Sequence, residues 1–298
     1  MTPFHGVFTA LVTPFAADGS IDWPAFDRLV DRQIEAGIAG LVPVGTTGEA
    51  ATLDATEAEA LIARCVSRSA GRAYVLAGAG ANDTRKAVRA AKRAQAAGAD
   101  GILVVTPYYN KPTQAGLIAH FAAVAQAVTC DVMLYSVPGR TGVAIAPETA
   151  ATLAAEHTNI VAIKEAGGDV ARVTALRSAC GSHFSIHSGD DELALPFYAL
   201  GAVGLTSVAS NFVPEACVAM YRAWMNGDTA RALSLHDQVA DLTAALFVET
   251  SPGPVKRALA LANLMGDTLR LPLVSISTAS DETLRHAIDA FQFRPDEV

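Results

Sequence analysis

Eight short apolar runs recur along the chain at intervals of roughly 20–35 residues. Runs of this kind are typical of strands that are buried on both faces of a parallel sheet. Alanine-rich segments with helical spacing lie between most of them, among them residues 55–68, 84–97, 116–128 and 169–179. The predicted strands are residues 7–12, 40–44, 74–78, 101–105, 132–137, 160–164, 184–188 and 204–208.

This alternation predicts an α/β fold, a (β/α)8 TIM barrel with a small C-terminal helical domain. A doubly wound open sheet is the alternative, but the first strand–helix turn lacks the Gly-x-Gly-x-x-Gly fingerprint of that fold. After about residue 214 the strand signals stop, and helical patterns cover residues 215–226, 229–247, 255–264 and 281–291. We therefore expect a catalytic barrel over residues 1–226 and a helical domain over residues 227–298.

The composition limits the function classes. The chain of 298 residues is 51% hydrophobic and 17% charged, which is typical of a folded enzyme with a large core. Its net charge of -8, with no basic run, argues against a nucleic-acid partner. No apolar stretch approaches a membrane span and no secretory pattern opens the chain, so a cytoplasmic location is expected. The cysteines are far apart and are expected to be reduced core residues: Cys65, Cys130, Cys180 and Cys217.

Lys164 ends the sixth predicted strand, and it is the one lysine of five that ends an apolar run. A lysine is costly in such a place unless it is paired or used in chemistry. Desolvation favours the uncharged form of an amine, and an uncharged amine can attack a carbonyl to form a Schiff base. The alternative is a structural ion pair with Glu165 or with another carboxylate.

Polar residues collect after several other predicted strands, where a barrel carries its chemistry. Thr46 and Thr47 lie between glycines after the second strand, where hydroxyl and backbone N–H groups can bind a carboxylate. The alternative is an ordinary turn that caps the next helix. Three of the six tyrosines fall in or near the loops after the fourth and fifth strands, and phenols there can relay protons: Tyr108, Tyr109 and Tyr135.

Two further motifs have open interpretations. Arg140 lies in a Pro/Gly loop, where it is suited to bidentate binding of a carboxylate or is simply a solvated loop arginine. The acidic segment 188–192 is either a helix N-terminus with favourable acids or, with His183 and His187, a metal site. Spacing alone does not supply the converging ligands that a metal needs, so no metal is expected.

Together these motifs resemble the class I, pyruvate-dependent aldolase family that contains dihydrodipicolinate synthase and N-acetylneuraminate lyase. The resemblance covers nearly the whole chain. It implies a barrel with a C-terminal helical domain, a homotetramer, and pyruvate held as a Schiff base on Lys164 without a separate cofactor. The matching motifs are Gly45-Thr-Thr-Gly-Glu49, Thr106-Pro-Tyr-Tyr-Asn110, Tyr135-x-x-Pro-x-Arg-Thr141, Ile163-Lys-Glu165 and Ser188-Gly-Asp-Asp191.

The resemblance also implies roles for individual residues. Tyr135 matches the residue that shuttles protons, and Thr46 and Tyr109 match the rest of its relay, with Tyr109 supplied by a neighbouring subunit. Thr47 matches the residue that binds the pyruvate carboxylate. The backbone positions that line the pyruvate pocket are matched by Gly189 and Thr206.

Within the family, Arg140 favours the synthase branch. It matches the arginine that binds the carboxylate of L-aspartate-4-semialdehyde, which the sugar-acid lyases usually lack. The implied reaction condenses pyruvate with this aldehyde to 4-hydroxytetrahydrodipicolinate in lysine biosynthesis. The alternatives are a related lyase or dehydratase for a 2-keto-3-deoxy sugar acid or similar substrate, a metal-dependent aldolase, and a non-catalytic scaffold that kept the barrel.

Some positions depart from the family pattern. Ser136, Thr206, Ser251 and Gly253 replace residues that are usual there, which leaves room for a paralogue with another aldehyde substrate. The lysine-feedback site is also incomplete. Two histidines of that site are replaced by Ala55 and Ala58, an acid is replaced by Lys86, and the retained residues are Asn82 and Tyr108. Weak or absent inhibition by lysine is therefore expected.

Overall fold

The computed structural model describes residues 4–293, and its strands form one closed, parallel barrel in chain order. The barrel closes because the first strand pairs with both the second and the eighth. The predicted (β/α)8 barrel is confirmed, and each strand begins and ends within two residues of its predicted bounds. The strands are β1 Gly6–Ala10, β2 Gly40–Val42, β3 Tyr74–Gly78, β4 Gly101–Val105, β5 Asp131–Ser136, β6 Ile160–Glu165, β7 Ser185–Ser188 and β8 Gly204–Ser207.

Helices surround the barrel and then follow it. Side-chain caps start several of them; at α2, Asp54 accepts the backbone N–H of Glu57 and the Glu57 carboxylate accepts that of Asp54. None of the helices within residues 4–293 has both the length and the apolar character that a membrane span requires. The helices are α1 Trp23–Glu35, α2 Ala55–Ser69, α3 Thr84–Ala96, α4 Gln114–Ala125, α5 Pro138–Thr141, α6 Pro147–Glu156, α7 Ala171–Cys180, α8 Ala194–Ala199, α9 Pro214–Met225, α10 Thr229–Ala245, α11 Gly253–Leu261 and α12 Thr278–Ala290.

Helices α9–α12 fall where the sequence pattern predicts helices after the last strand. The predicted division between residues 226 and 227 lies in the turn between α9 and α10, and as a domain boundary it stays a prediction. Residues 1–3 of the predicted barrel and residues 294–298 of the predicted C-terminal unit lie outside the described range.

The lower part of the barrel is filled by large side chains that face glycines on neighbouring strands. A side chain at Gly40 would overlap the Phe8 ring, and one at Gly204 would overlap the His187 ring. Phe8 and His187 pack nearly edge to face, with ring centroids 5.0 Å apart, and Phe4 packs against both. Because the floor is packed, open space and chemistry belong at the carboxyl ends of the strands.

The cysteines are free thiols, as expected. Cys65, Cys180 and Cys217 are buried, and Cys130 is half-buried. Burial raises the pKa of Cys65 to about 12, so its thiol stays protonated and unreactive at neutral pH.

Candidate active site

Lys164 lies near the carboxyl end of β6 and faces the barrel interior. Its side chain is nearly enclosed, since only 5% of the residue is exposed. On the neighbouring strand β5, Tyr135 is its register partner, and the amino nitrogen lies 4.5 Å from the centroid of the Tyr135 ring. Among residues 4–293 no carboxylate lies within ion-pair distance of this amine. A buried amine beside a phenol, with no anion to hold it, is suited to attack a carbonyl.

Glu165, the next residue, faces away from the barrel interior because successive side chains of a strand point to opposite faces. It is fully buried, and its carboxylate lies 2.9 Å from a guanidinium nitrogen of Arg172. Burial raises the pKa of Glu165, while the hydrogen bond and charge of Arg172 oppose that rise. The alternative of an ion pair between Lys164 and Glu165 is therefore wrong.

A buried polar pair lies beside Lys164 on β7 and β8. His187 is the register partner of Lys164 on β7, and its Nδ1 lies 3.0 Å from the Thr206 hydroxyl on β8. Its Nε2 lies 2.5 Å from the carbonyl oxygen of Phe4. A carbonyl only accepts, so Nε2 carries the hydrogen and Nδ1 accepts from Thr206. Burial lowers the pKa of His187 to about 4, so the ring is neutral at physiological pH.

Gly189 provides room for the lysine. A Cβ atom at this position would lie 2.8 Å from Cε of Lys164 and 2.6 Å from Cβ of Ala166. Its backbone N–H donates to the carbonyl of Glu165 at 2.7 Å, which holds the β7 loop against β6. The structure therefore places Gly189 directly against Lys164 and Thr206 against its register partner His187; their role in a pyruvate pocket stays a prediction.

A cavity of about 370 Å³ opens at the carboxyl ends of the strands, and Lys164, Thr47, Gly189 and Thr206 are not among the residues that line it. Tyr135, Thr46 and Arg140 all line it, so three residues from separate loops and strands meet at one space. Segments from beyond the barrel also contribute, including Ser251 and Pro272. The sequence pattern singled out Ser251 only as a departure from the family and did not point to Pro272; the proline-rich segment before Lys256 was the available signal.

The loop after β2 holds Thr46 at the cavity and buries Thr47. Val44 at its start has a positive φ of 59°, an unusual conformation for a β-branched residue. A side chain at Gly78 on β3 would overlap the Val44 carbonyl, so that glycine makes the turn possible. Asp54, rather than either threonine, caps helix α2, so the alternative of a simple capping turn does not describe this loop.

Arg140 lies on the short helix α5 and is exposed at the rim of the cavity. No hydrogen bond or ion pair engages its guanidinium within residues 4–293. Its neighbour Thr141 is buried, and the hydroxyl of Thr106 donates to that of Thr141 at 3.0 Å. This bond ties the loops after β4 and β5 together and leaves Arg140 available for an anion.

Tyr109 is not brought to the cavity of its own barrel. It is 91% exposed, and its φ of 73° is in the left-handed region that a tyrosine rarely adopts. Tyr108, directly before it, lines the cavity and is partly exposed.

The acidic segment after β7 has a structural task that neither interpretation anticipated. Asp191 is buried and accepts from the Ser207 hydroxyl at 2.5 Å and from the backbone N–H of Val208 at 2.9 Å. It thus ties the loop after β7 to the chain after β8. The part of the chain that the structure describes contains no cluster of three or more His, Cys, Asp or Glu that could hold a metal ion.

A second buried lysine lies in the C-terminal helical region, and no pattern in the sequence singled it out. Lys256 on α11 is fully buried, and its amino nitrogen lies 2.6 Å from Oε1 of Glu49. Because Glu49 closes the motif that begins at Gly45, this ion pair joins α11 to the loop after β2.

Known proteins with the same architecture are numerous. A profile of the Dihydrodipicolinate synthetase family matches residues 3–291. The 4-hydroxy-tetrahydrodipicolinate synthase of Nitratidesulfovibrio vulgaris is 46% identical over 96% of this chain and 98% of its own. The structure of the 4-hydroxy-tetrahydrodipicolinate synthase from Methylacidiphilum fumariolicum SolV superposes with a TM-score of 0.95 at 43% identity, covering 97% of this chain and 96% of that one. The chloride-inhibited dihydrodipicolinate synthase from Acinetobacter baumannii, solved in complex with pyruvate, superposes with a TM-score of 0.94 at 43% identity, covering 96% and 98% of the two chains.

Proposed function

The chain belongs to the dihydrodipicolinate synthetase family and condenses pyruvate with L-aspartate-4-semialdehyde in lysine biosynthesis, and we propose that Lys164 carries the pyruvate as a Schiff base. The observation that supports this role most directly is the position of the amine. It is enclosed, lies against a phenol ring, and has no carboxylate partner among residues 4–293. An amine held by an ion pair would have to lose that partner before it could attack.

The reaction starts when the uncharged amine of Lys164 attacks the keto carbon of pyruvate. Tyr135 moves protons between the amine and the departing hydroxyl, so the carbinolamine loses water and becomes the imine. Loss of a methyl proton gives the enamine, whose carbon adds to the aldehyde carbon of L-aspartate-4-semialdehyde. The aldehyde oxygen becomes a hydroxyl group. The substrate amine then attacks the imine carbon, closes the ring and frees Lys164.

Two anion sites orient the substrates. Thr47, with the backbone N–H groups of its loop, binds the pyruvate carboxylate. Thr47 itself is buried, and what supports this assignment is that its loop reaches the cavity through Thr46. Arg140 binds the carboxylate of the aldehyde, which is supported by its place at the rim and its unengaged guanidinium. The pocket beside Lys164 is completed by the backbone at Gly189 and Thr206.

Tyr109 acts in a neighbouring subunit of a homotetramer arranged as a dimer of dimers. Its exposed side chain and left-handed backbone support this proposal, because an isolated chain gains nothing from a tyrosine presented in that way. Mixing Tyr109→Phe with Lys164→Ala subunits tests it. In a mixed assembly, a Tyr109→Phe subunit supplies Lys164 and a neighbouring Lys164→Ala subunit supplies Tyr109, so activity should return after subunit exchange. A mixture that stays inactive would contradict the proposal.

The substrate assignment has a direct test in a coupled assay. L-aspartate-4-semialdehyde should be consumed with pyruvate, whereas a panel of 2-keto-3-deoxy sugar acids should give no cleavage. Activity should persist in EDTA. Preference for a sugar acid would favour the paralogue hypothesis, to which Ser136 and Ser251 give room.

We also infer a cytoplasmic location, supported by four cysteines that are all free thiols.

A further inference from the structure

Lys256 and Glu49 form an enclosed ion pair at the edge of the candidate site. Lys256 is fully buried, and the side chain of Glu49 is 1% exposed. Besides its contact with Glu49, the Lys256 amine donates to the backbone carbonyl of Thr13 at 2.9 Å and lies 4.4 Å from the centroid of the Phe15 ring. Two charges withdrawn from water in this way are stable only when each has its partner.

Glu49 is also bound on its other side. Its second oxygen accepts the backbone N–H of Arg270 at 3.0 Å, so the carboxylate joins two C-terminal segments. Arg270 itself is held by the Glu57 carboxylate and by the carbonyls of Gly19 and Thr52. The carboxylate therefore has a fixed position relative to α11 and to α2.

The loop that carries Thr46 and Thr47 depends on Glu49 for its shape. The N–H of Glu49 donates to the carbonyl of Thr46 at 3.1 Å, and Glu49 has a positive φ of 55°. The hydroxyl of Thr13 donates to the Gly48 carbonyl at 2.7 Å, so the same Thr13 that accepts from Lys256 also holds the loop. A residue in this sparsely populated backbone region persists only where the surroundings determine it.

We propose that Lys256 is a positioning residue that, through Glu49, sets the loop presenting Thr46 and Thr47 to the pyruvate carboxylate. The inference rests on the proposed function of that loop. Without the ammonium group, Glu49 is a buried carboxylate lacking its main partner, and the loop must shift to rehydrate it. Small displacements of a substrate-binding group have large effects on binding and rate. Helix α11 thereby acts on the pyruvate site through the side chain of Glu49.

The test compares steady-state constants of Lys256→Met with those of the wild type. We expect KM for pyruvate to rise by about tenfold, equivalent to about 1.4 kcal/mol. KM for L-aspartate-4-semialdehyde should stay within about twofold of the wild-type value, because Arg140 lies on another loop. The matched control is Arg257→Met on the same helix. Arg257 pairs with Asp267 and Asp281 instead of the loop, so its loss should lower the thermal midpoint and leave KM for pyruvate unchanged.

Glu49→Gln keeps the shape of the side chain and provides the same test should Lys256→Met fail to fold. The two changes remove one interaction, so the double variant should show a pyruvate KM no higher than the worse single variant. A wild-type KM for pyruvate in either folded single variant would overturn the inference, as would an equal rise in Arg257→Met. If the wild type forms a Lys164 adduct and the folded variants keep the wild-type KM for pyruvate, this inference alone fails. If the wild type forms no adduct, the proposed function fails.

Discussion

The amino nitrogen of Lys164 lies 4.5 Å from the centroid of the Tyr135 ring on the neighbouring strand. The two residues are register partners in β6 and β5, so the parallel sheet itself sets their separation. When the amine is protonated, its charge is attracted to the face of the Tyr135 ring. When the amine is uncharged, the neighbouring phenol is suited to exchange protons with the groups that react there. Both contacts are therefore fixed by the strands and do not depend on the conformation of a loop.

Tyr135→Phe separates these two contributions, because it keeps the ring and removes the hydroxyl group. We expect kcat to fall by about 100-fold, the lower range for loss of a general acid–base group. The pyruvate adduct should still form, but more slowly. The control is Tyr108→Phe, which alters another tyrosine of the cavity, whereas the ring that the Lys164 amine contacts is that of Tyr135. An unchanged kcat in Tyr135→Phe would exclude the proton-transfer role.

Arg140→Ala should impair the second substrate selectively. The guanidinium is unengaged at the rim, so its removal leaves the buried pocket intact and deletes one anion site. We predict a rise of at least about tenfold in KM for L-aspartate-4-semialdehyde with a nearly unchanged yield of the pyruvate adduct. Arg140→Lys should recover only part of the loss, since an ammonium group cannot form two parallel hydrogen bonds. Arg177→Ala, which removes a bond to the Leu200 carbonyl, is the control. Equal loss of adduct and of aldehyde binding would mean that Arg140 supports the whole pocket.

His187 should make stability fall in mild acid. Its pKa is lowered by burial from 6.5 to about 4, so the unfolded chain takes up a proton in this range before the folded one does. Stability from the neutral ring is therefore fully present above about pH 6.5 and is lost as the pH falls toward 4, by on the order of 3 kcal/mol. Denaturant unfolding across this range should show a shallower pH dependence in His187→Gln than in the wild type. His286→Gln, a change at an exposed histidine, is the control. Equal slopes in wild type and His187→Gln would contradict the assignment of a neutral buried ring.

Free lysine should inhibit the enzyme weakly or not at all. Ala55 and Ala58 lie in the first turn of α2, where the family resemblance implies histidines, and Lys86 presents a positive charge where an acid would bind the effector ammonium. Like charges disfavour such binding. Steady-state inhibition by lysine measures this directly, with Lys86→Glu as the comparison in which any inhibition should strengthen. A micromolar inhibition constant for the wild type would show that other residues rebuild the site.

The fold was predictable because the apolar runs, with alanine-rich helices between them, can bury both faces only in a covered parallel sheet. Lys164 and Tyr135 were predictable for the same reason. Each lies within a buried strand, where a polar side chain costs free energy unless it is paired or used in chemistry. The meeting of Thr46 and Arg140 at one cavity followed once the strand ends were known to gather at one face.

Other features depend on contacts that no local pattern records. Lys256 follows a proline in a helical segment, and its burial against Glu49, more than 200 positions away in the chain, arises only when α11 packs over the loop after β2. Asp191 looked like part of a helix N-terminus or a metal site, whereas it binds the chain after β8. The role of Tyr109 requires a neighbouring subunit and stays a prediction.

Reductive trapping with pyruvate identifies the nucleophile that forms the Schiff base. Borohydride is added to the enzyme with pyruvate, and the modified residue is located by proteolysis and mass spectrometry. We predict one reduced pyruvate per chain on Lys164, none on the fully buried Lys256, and none in Lys164→Ala. An adduct on a different residue, or no adduct under turnover conditions, would contradict it.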